Sequence, residues 1–472
     1  MSETLDVAIV GGGIAGLTVA WRLQQQRPEL RLAVLEATDR PGGKVRTEVI
    51  EHEAGRFLVE CGADSMLNSA KPWARALCSE LGLDDEVIFS QPVPNPTAVW
   101  YKGATVDLPA GLSLLAPTKP DAFLQSPLLS PEGRQRALRE TKIPVRPGDD
   151  DESLGSFVTR RFGREHLDGI AEPLLAGIYN ADPDELSLLT TFPNFRKLEQ
   201  QYGSVTRGAA ELAPQAGEST FFSLRGGVGR IPETLAHQLG PLVRTNCRVE
   251  RLERTEPNGY RLGLRNGETL YAKAVVLATP VSSARALLDS VAPETSRWFA
   301  RMKQGSSGNI VLAWPSTQIA RPLAGFGMVV PKREAQPFNA ITVHSRKYAG
   351  RAPEGWSLLR FFFGGYRSPS TLELDDEQLV RTARTFAERA IGATGPPTFS
   401  RTTRSWHGNP IYQVGHRETI TGLEAALPPG ISVAGTPFRG PGIPDVVRSS
   451  TDLANRIAAS LVPAATAYER TP

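Results

Sequence analysis

Cysteine is scarce in this chain: Cys61, Cys78 and Cys247 are the only three among 472 residues. So few, so widely spaced, exclude a disulfide framework and a thiolate zinc site. The six histidines show neither H-x-x-x-H nor H-E-x-x-H spacing, so no metal is expected. His407 and His416 flank Ile411-Tyr412 without a Ser or Cys nucleophile nearby, and read as packing residues. There is no G-x-S-x-G and no Walker loop. Net charge is small, +3, with no basic helix or aromatic-basic stripe, which excludes nucleic acid as a partner. No apolar run approaches the ~18 residues of a membrane span. Ser2-Glu3-Thr4 and the short run behind it do not read as a secretory signal. A reducing, cytoplasmic setting is expected. The apolar stretch from Thr105 to Leu129 is broken by Pro109, Pro117, Pro120 and Pro127. It reads as a loop-and-helix surface, with a pocket mouth or at most peripheral membrane contact as alternatives.

What is present begins at the first strand. Asp6-Val7-Ala8-Ile9-Val10 feeds Gly11-Gly12-Gly13-Ile14-Ala15-Gly16, and a helical pattern follows through Leu17, Ala20 and Trp21. Strand, G-x-G-x-x-G and helix together are the context of a dinucleotide fingerprint. Gly11 permits the tight turn, Gly13 admits a pyrophosphate to the backbone, and Gly16 lets the helix lie close on the strand. A second apolar run, Arg31 to Leu35, ends at Glu36, placed to accept from ribose hydroxyls. Behind it, Arg40-Pro41-Gly42-Gly43-Lys44-Val45-Arg46 offers a ledge without side chains, flanked by positive charge.

Farther along, Val59 to Ser65 precedes a helix from Trp73 that stops at Gly82. The acidic run Asp149 to Glu152 reads as a solvated loop capping a helix. A hairpin is expected around Asn266-Gly267, and Ala274 to Pro280 reads as a buried strand. At the other end, the strand Gly430 to Gly435 leads to Gly440-Pro441-Gly442-Ile443-Pro444-Asp445 and a helix through Val446, Leu453, Ile457 and Leu461. Pro444 suits the first helical turn, and the helix start faces a ligand with its positive end. One fingerprint and one C-terminal helix start suggest a single cofactor held from both ends. FAD fits better than NAD, because no second fingerprint offers a nicotinamide site. Substrate then reduces the flavin, and dioxygen is the simplest acceptor.

Several blocks are more specific. Glu172-Pro173-Leu174-Leu175-Ala176-Gly177-Ile178-Tyr179 continues through Leu186-Ser187, Thr191-Phe192-Pro193 and Leu198-Glu199. Tyr412-Gln413-Val414-Gly415-His416 and Gly440 to Asp445 accompany it. With these blocks the chain, from its first strand to about residue 460, resembles the oxygen-dependent protoporphyrinogen/coproporphyrinogen III oxidases of haem biosynthesis, in the amine-oxidase-like flavoprotein superfamily. The implied fold is α/β (α+β): a Rossmann-like FAD-binding domain with an interleaved substrate-binding domain and a helical insertion. The expected boundaries are 1–90, 206–284 and 405–472 for the FAD-binding domain, 91–205 for the helical insertion and 285–404 for the substrate-binding domain.

The resemblance implies non-covalent FAD held by Gly11, Gly12, Gly13, Ile14, Ala15, Gly16, Glu36, Ala37, Gly43, Lys44, Gly62, Ala63, Asp64, Ser65, Val249, Trp406, Gly442, Ile443 and Pro444. Gly177 would sit at the substrate pocket, where a side chain would block the macrocycle. The implied reaction is three two-electron oxidations of a porphyrinogen, each returned to dioxygen as peroxide. No protein acid–base pair is required, so no catalytic side chain is expected. Hand-off of product to a ferrochelatase is a further implication. The family usually has Gly-Pro-Asp-Ser-Phe at Gly62-Ala63-Asp64-Ser65-Met66, and often Ile-Tyr-Ala-Gly-Asp at Ile178-Tyr179-Asn180-Ala181-Asp182. Arg160, Arg161, Arg164, Arg196 and Lys197 flank the Gly177 block and suggest a polyanion, which favours the four propionates of coproporphyrinogen III. An amine oxidase, a carotenoid desaturase and a non-catalytic carrier on the same fold remain alternatives.

Overall fold

The computed structural model describes residues 4–93, 97–113, 115–212, 221–257 and 259–461. Its first strand, β1 (Leu5–Val10), is buried from Asp6 to Val10. A strand apolar on both faces needs neighbours on both edges and cover above and below. β1 has β2 (Leu32–Leu35) on one edge and the strand Thr269–Leu277 on the other, both parallel. In this register Val10 lies between Leu35 and Leu277, which brings the ends of three strands to one place. Helix α1 (Ile14–Gln26) makes the crossover from β1 to β2.

Distant stretches complete this sheet. Val243–Arg244 extends it beyond β2, and Ile431–Val433 joins Thr269–Leu277 in parallel. The hairpin at Gly267, where φ is +87°, adds Gly259–Leu264 and then Val249–Thr255. The C-terminal helix Ile443–Ser460 packs against α1, burying Val446, Val447, Leu453 and Ile457 in the same core.

A second seven-stranded sheet runs Phe399–Pro410, Gln304–Pro315, Trp356–Gly364, Ala340–Val343, Gly327–Val329, Thr97–Tyr101, Ala104–Asp107. Helix Asp376–Ile391, started by an Asp375/Gln378 capping box, lays Leu379, Ala383, Phe386 and Ala387 on it. Two features of this sheet differ from the expected division. Strands Thr97–Tyr101 and Ala104–Asp107 fall within 91–205 yet pair into the sheet, and position 405 lies inside the strand Phe399–Pro410.

The region from Pro120 to Glu211 is otherwise helical, around a core of its own that includes Phe157, Phe162, Ile170 and Phe195. Leu115, Ala116, Phe123, Leu128 and Leu129 point into that core, so the proline-broken stretch packs inward. Among the described residues no helix is long and apolar enough to cross a membrane. Leu167–Ala176 is a π-helix with Pro173 inside it. Proline supplies no N–H to a helical ladder, and wide turns of this kind recur at functional sites.

Candidate functional site: one cavity from the fingerprint to the π-helix

The two sheets and the π-helix enclose a cavity of about 1020 Å³, at the top of the range of about 300–1,000 Å³ usual for ligand pockets. At one end lie Gly11, Gly13, Ile14, Ala15, Glu36 and Ala37. Gly11 has φ +108°, and a Cβ there would stand 2.5 Å from the Ala278 carbonyl oxygen. Only glycine makes this turn without strain. A Cβ on Gly16 would stand 2.0 Å from the Gly11 carbonyl oxygen, so α1 starts hard against the turn. Gly13 caps α1 without a side chain, and no acid occupies the first turn. The positive end of α1 therefore meets the cavity unneutralised by its own residues.

Glu36 is fixed before any ligand arrives. Its Oε2 accepts the Gly12 amide at 2.8 Å, and its Oε1 accepts the Thr38 amide at 2.9 Å and the Thr38 hydroxyl at 2.8 Å. A Cβ on Gly12 would come within 2.9 Å of Glu36 Cβ. Gly12 thus stands behind the acid rather than on the cavity wall.

Gly43 forms the ledge that the glycine doublet suggests. It faces Gly13, and a Cβ on Gly13 would meet nothing nearer than Gly43 Cα, at 4.0 Å. The middle of the cavity is walled by Gly43, Lys44, Gly62, Ala63, Val249 and Ile443. Lys44 Nζ donates to the Gly408 carbonyl, tying the ledge to the strand Phe399–Pro410.

Other expected contacts lie off the wall. Gly16 is buried under the turn. Gly442 and Pro444 sit beside Ile443 at the start of the C-terminal helix. Trp406 is 52 % exposed, while its neighbours Ser405 and His407 line the cavity. Asp64 and Ser65 face away into a polar cluster. Asp64 Oδ2 lies 3.2 Å from Lys347 Nζ and 3.4 Å from His344 Nε2, and Lys347 Nζ donates to Ser65 Oγ at 2.6 Å. Burial alone would raise the Asp64 carboxyl, but Lys347 and His344 hold it well below its usual range. The same burial drives the His344 imidazole down to about 4. This cluster anchors the 62–65 segment to the second sheet.

The far end of the cavity is made by Pro173, Leu174, Gly177, Ile178 and Asn180 on one side, and by Asn309, Val329, Asn339, Ala340, Arg360, Phe362, Phe363 and Arg367 on the other. Asn180 sits at φ +50°, a left-handed conformation that Asn tolerates better than most residues. Its Oδ1 accepts Asn339 Nδ2 at 3.2 Å. Asn309 Nδ2 donates to the Cys61 carbonyl at 3.1 Å, while its buried Oδ1 has no protein partner. Arg360 Nη2 donates to the Gly62 carbonyl at 2.6 Å, and Arg360 Nε has no protein partner. Among the described residues, Glu36 is the one acid on the cavity wall.

The arginines flanking the Gly177 block do not reach this cavity, which corrects the expectation built on them. Arg161, fully buried, pairs with Glu140 and Glu199. Arg160 pairs with Glu152 and Glu199, Arg196 with Glu199, and Arg164 with Asp168 and Asp184. Each charge is spent within the helical region, and Lys197 is exposed. The cations at the far end are instead Arg360 and Arg367, from the second sheet and the turn after it. A sequence signal for Arg360 existed: a lone charge in Leu358-Leu359-Arg360-Phe361-Phe362-Phe363 is a buried polar group in an apolar strand.

A model of flavin-containing amine oxidoreductases matches residues 14–458. A coproporphyrinogen III oxidase of Bacillus subtilis is 31% identical over 93% of this chain and 95% of its own. One of Propionibacterium freudenreichii is 32% identical over 96% of this chain and 90% of its own. A solved Exiguobacterium structure, provisionally described as a protoporphyrinogen oxidase, superposes with a TM-score of 0.87 at 28% identity, covering 98% of this chain and all of that one. The glycine turn, the acid after β2 and the π-helix block thus belong to one fold, and the chain is a member of the flavin-containing amine oxidoreductase family, in the branch that holds the porphyrinogen oxidases.

Proposed function

We propose that this chain oxidises a porphyrinogen to a porphyrin with dioxygen as the final acceptor, and that coproporphyrinogen III is its preferred substrate. One observation carries the reading: a single cavity joins the fingerprint to the Gly177 wall, and among the described residues its far end is walled by Arg360 and by Arg367, which pairs with Glu172 behind the wall, and by no acid. An amine substrate, cationic at neutral pH, gains nothing there, which speaks against the amine-oxidase alternative. A carotenoid carries no charge for Arg360 and Arg367 to bind. A porphyrinogen offers both an apolar ring and carboxylates.

The residues present fit a flavin dinucleotide. The open face of Gly13 and Gly43 admits the pyrophosphate beside the positive end of α1. Glu36 is oriented to accept from ribose hydroxyls. Gly62, Ala63 and Ile443 stand where the ring system would continue toward the far end. Bound flavin would supply the hydride acceptor and the route to dioxygen. The protein's own part is to orient the macrocycle, to keep water from the reacting carbon, and to leave ring N–H protons free to depart. Asn309 Oδ1, buried and without a protein partner, is an acceptor available on the far-end wall.

The buried, unpaired Cys61, Cys78 and Cys247 support a cytoplasmic setting, and the porphyrin product suits transfer to a ferrochelatase. The test of substrate choice is kcat/KM for coproporphyrinogen III and protoporphyrinogen IX at matched salt. The four-propionate substrate is expected to win, and a clear preference for protoporphyrinogen IX would overturn that choice.

A further inference from the structure

Arg360 is a buried charge without an ion pair among the described residues. It lies in strand Trp356–Gly364, opposite Val311 and Thr342, and is 4% exposed on the cavity wall. An arginine stays charged in a protein. Its Nη2 donates to the Gly62 carbonyl at 2.6 Å, and its guanidinium lies over the Phe362 ring, 4.6 Å from the centroid. Asn309, on the neighbouring strand opposite Phe362, holds the preceding carbonyl, that of Cys61, at 3.1 Å. The guanidinium is thereby fixed behind Gly62 and Ala63. Nε is sealed from solvent and has no protein partner. Nη1 bonds to no described residue and is the nitrogen left to the cavity.

The acids that act on Arg360 through space, Asp64 and Glu60, belong to the polar cluster behind the wall. There Asp64 lies 3.2 Å from Lys347 Nζ. Glu60 faces Arg351 at 3.6 Å and accepts the Thr47 hydroxyl and the Val228 amide. Burial drives His344 down to about 4 and so keeps it neutral. Cluster and wall together hold three cations, Lys347, Arg351 and Arg360, against two acids. Of these groups Arg360 alone lines the cavity. An excess of buried charge is costly unless an opposite charge meets it. Here the excess is carried to the cavity beside Gly62 and Ala63, where a flavin ring system would lie.

We propose that Arg360 raises the midpoint potential of the bound flavin by stabilising the negative charge that its ring system gains on accepting hydride. Hydride transfer moves two electrons and one proton from a substrate carbon to the flavin. The flavin gains one negative charge, and the substrate gains a positive one that it discharges by losing an N–H proton. The inference rests on the flavin part of the reading above and not on the choice of porphyrinogen.

The experiment measures the midpoint potential of flavin-loaded protein against a reference dye, and the affinity for oxidised FAD by titration of flavin-free protein. Arg360→Gln is expected to bind oxidised FAD nearly as well as wild type. It should weaken reduced relative to oxidised flavin by about ten- to a hundredfold, a fall of about 30–60 mV for a two-electron couple. Arg360→Lys, which keeps the charge, should recover most of that fall. Asp64→Asn removes an acid from the cluster without touching the wall, and should move the potential upward. An unchanged potential in Arg360→Gln would overturn the proposal. So would a fall in Asp64→Asn, which would show that packing and not charge sets the potential. Weaker binding of coproporphyrin III by Arg360→Gln, with the potential unmoved, would give Arg360 to a substrate carboxylate instead. Wild-type protein that bound no flavin would bring down the flavin reading itself, and this inference with it.

Discussion

The Gly12 amide donates to Glu36 Oε2 at 2.8 Å, so the turn after β1 and the acid after β2 form one preorganised unit. Thr38 occupies the other oxygen through its amide and hydroxyl. Every partner is a donor, and the carboxylate keeps lone pairs for a ribose. Glu36→Gln should therefore be almost as damaging as Glu36→Ala, since a carboxamide would turn N–H groups toward N–H donors. Either change should weaken flavin by about 2 kcal/mol or more. The check is titration of flavin-free protein with FAD, following flavin fluorescence.

Gly13→Asp should abolish flavin binding. The added carboxylate would enter the open face shared with Gly43 and meet phosphate charge to charge. A folded variant retaining stoichiometric FAD would show that the pyrophosphate lies elsewhere.

The flavin should be held without a covalent bond. No cysteine follows Cys247, and Cys61, the one cysteine on the cavity wall, has its thiol pushed up by burial. Acid precipitation should leave a colourless pellet and all yellow colour in solution. A yellow pellet would contradict this.

Replacing Arg161 should unfold the helical region rather than alter substrate binding. Arg161 and Glu140 are both fully buried, and Glu140 also accepts the Ser204 hydroxyl and the Val205 and Thr206 amides. Arg161→Met would strand buried carboxylates, at a cost of about 3–5 kcal/mol. Denaturant unfolding should show the loss, while KM for porphyrinogen stays unchanged in whatever folds.

Acid should destabilise the protein through its buried histidines. His166 stacks on Phe162 at 5.0 Å, its Nε2 lies 2.9 Å from the Leu115 carbonyl, and burial lowers its imidazole from 6.5 to about 4. Between those values the unfolded chain takes the proton and the native chain does not. The stability is present above about 6.5 and is lost as pH falls toward 4, by about 3 kcal/mol in all. His344 and His416 act in the same direction. Glu60 opposes them: burial lifts it to about 7, so its contribution is lost as pH rises from 4.5. His166→Gln should reduce the slope of stability against pH between 6 and 4.5 by about 1.4 kcal/mol per unit. An unchanged slope would mean that His166 is not buried neutral.

The fingerprint end of the cavity was legible because its signals are local. Gly11 to Gly16 sit within one turn, and Glu36 follows after one crossover, so spacing along the chain stands in for distance in space. The hairpin at Gly267 and the helix after Pro444 were legible for the same reason. The far end was not. Arg367 meets Glu172 across 195 positions, and no periodicity carries that pairing. Arg160 and Arg196 sit close to the Gly177 block in sequence, yet their charges close on Glu199 instead. Proximity in sequence counted cations near the pocket but not the acids that consume them. The strands Thr97–Tyr101 and Ala104–Asp107 escaped for a related reason: they form a local hairpin whose attachment to the sheet, at Gly327–Val329, is far along the chain.

Porphyrinogen oxidation by this chain is tested most directly by one measurement. Purified, flavin-loaded protein is mixed aerobically with coproporphyrinogen III, while porphyrin fluorescence and dissolved oxygen are followed together. Enzyme-dependent porphyrin is expected, with three dioxygen consumed and three peroxide formed for each macrocycle, and no oxygen uptake with simple amines. Porphyrin at the uncatalysed rate with both coproporphyrinogen III and protoporphyrinogen IX, or oxygen uptake driven by an amine, would contradict it.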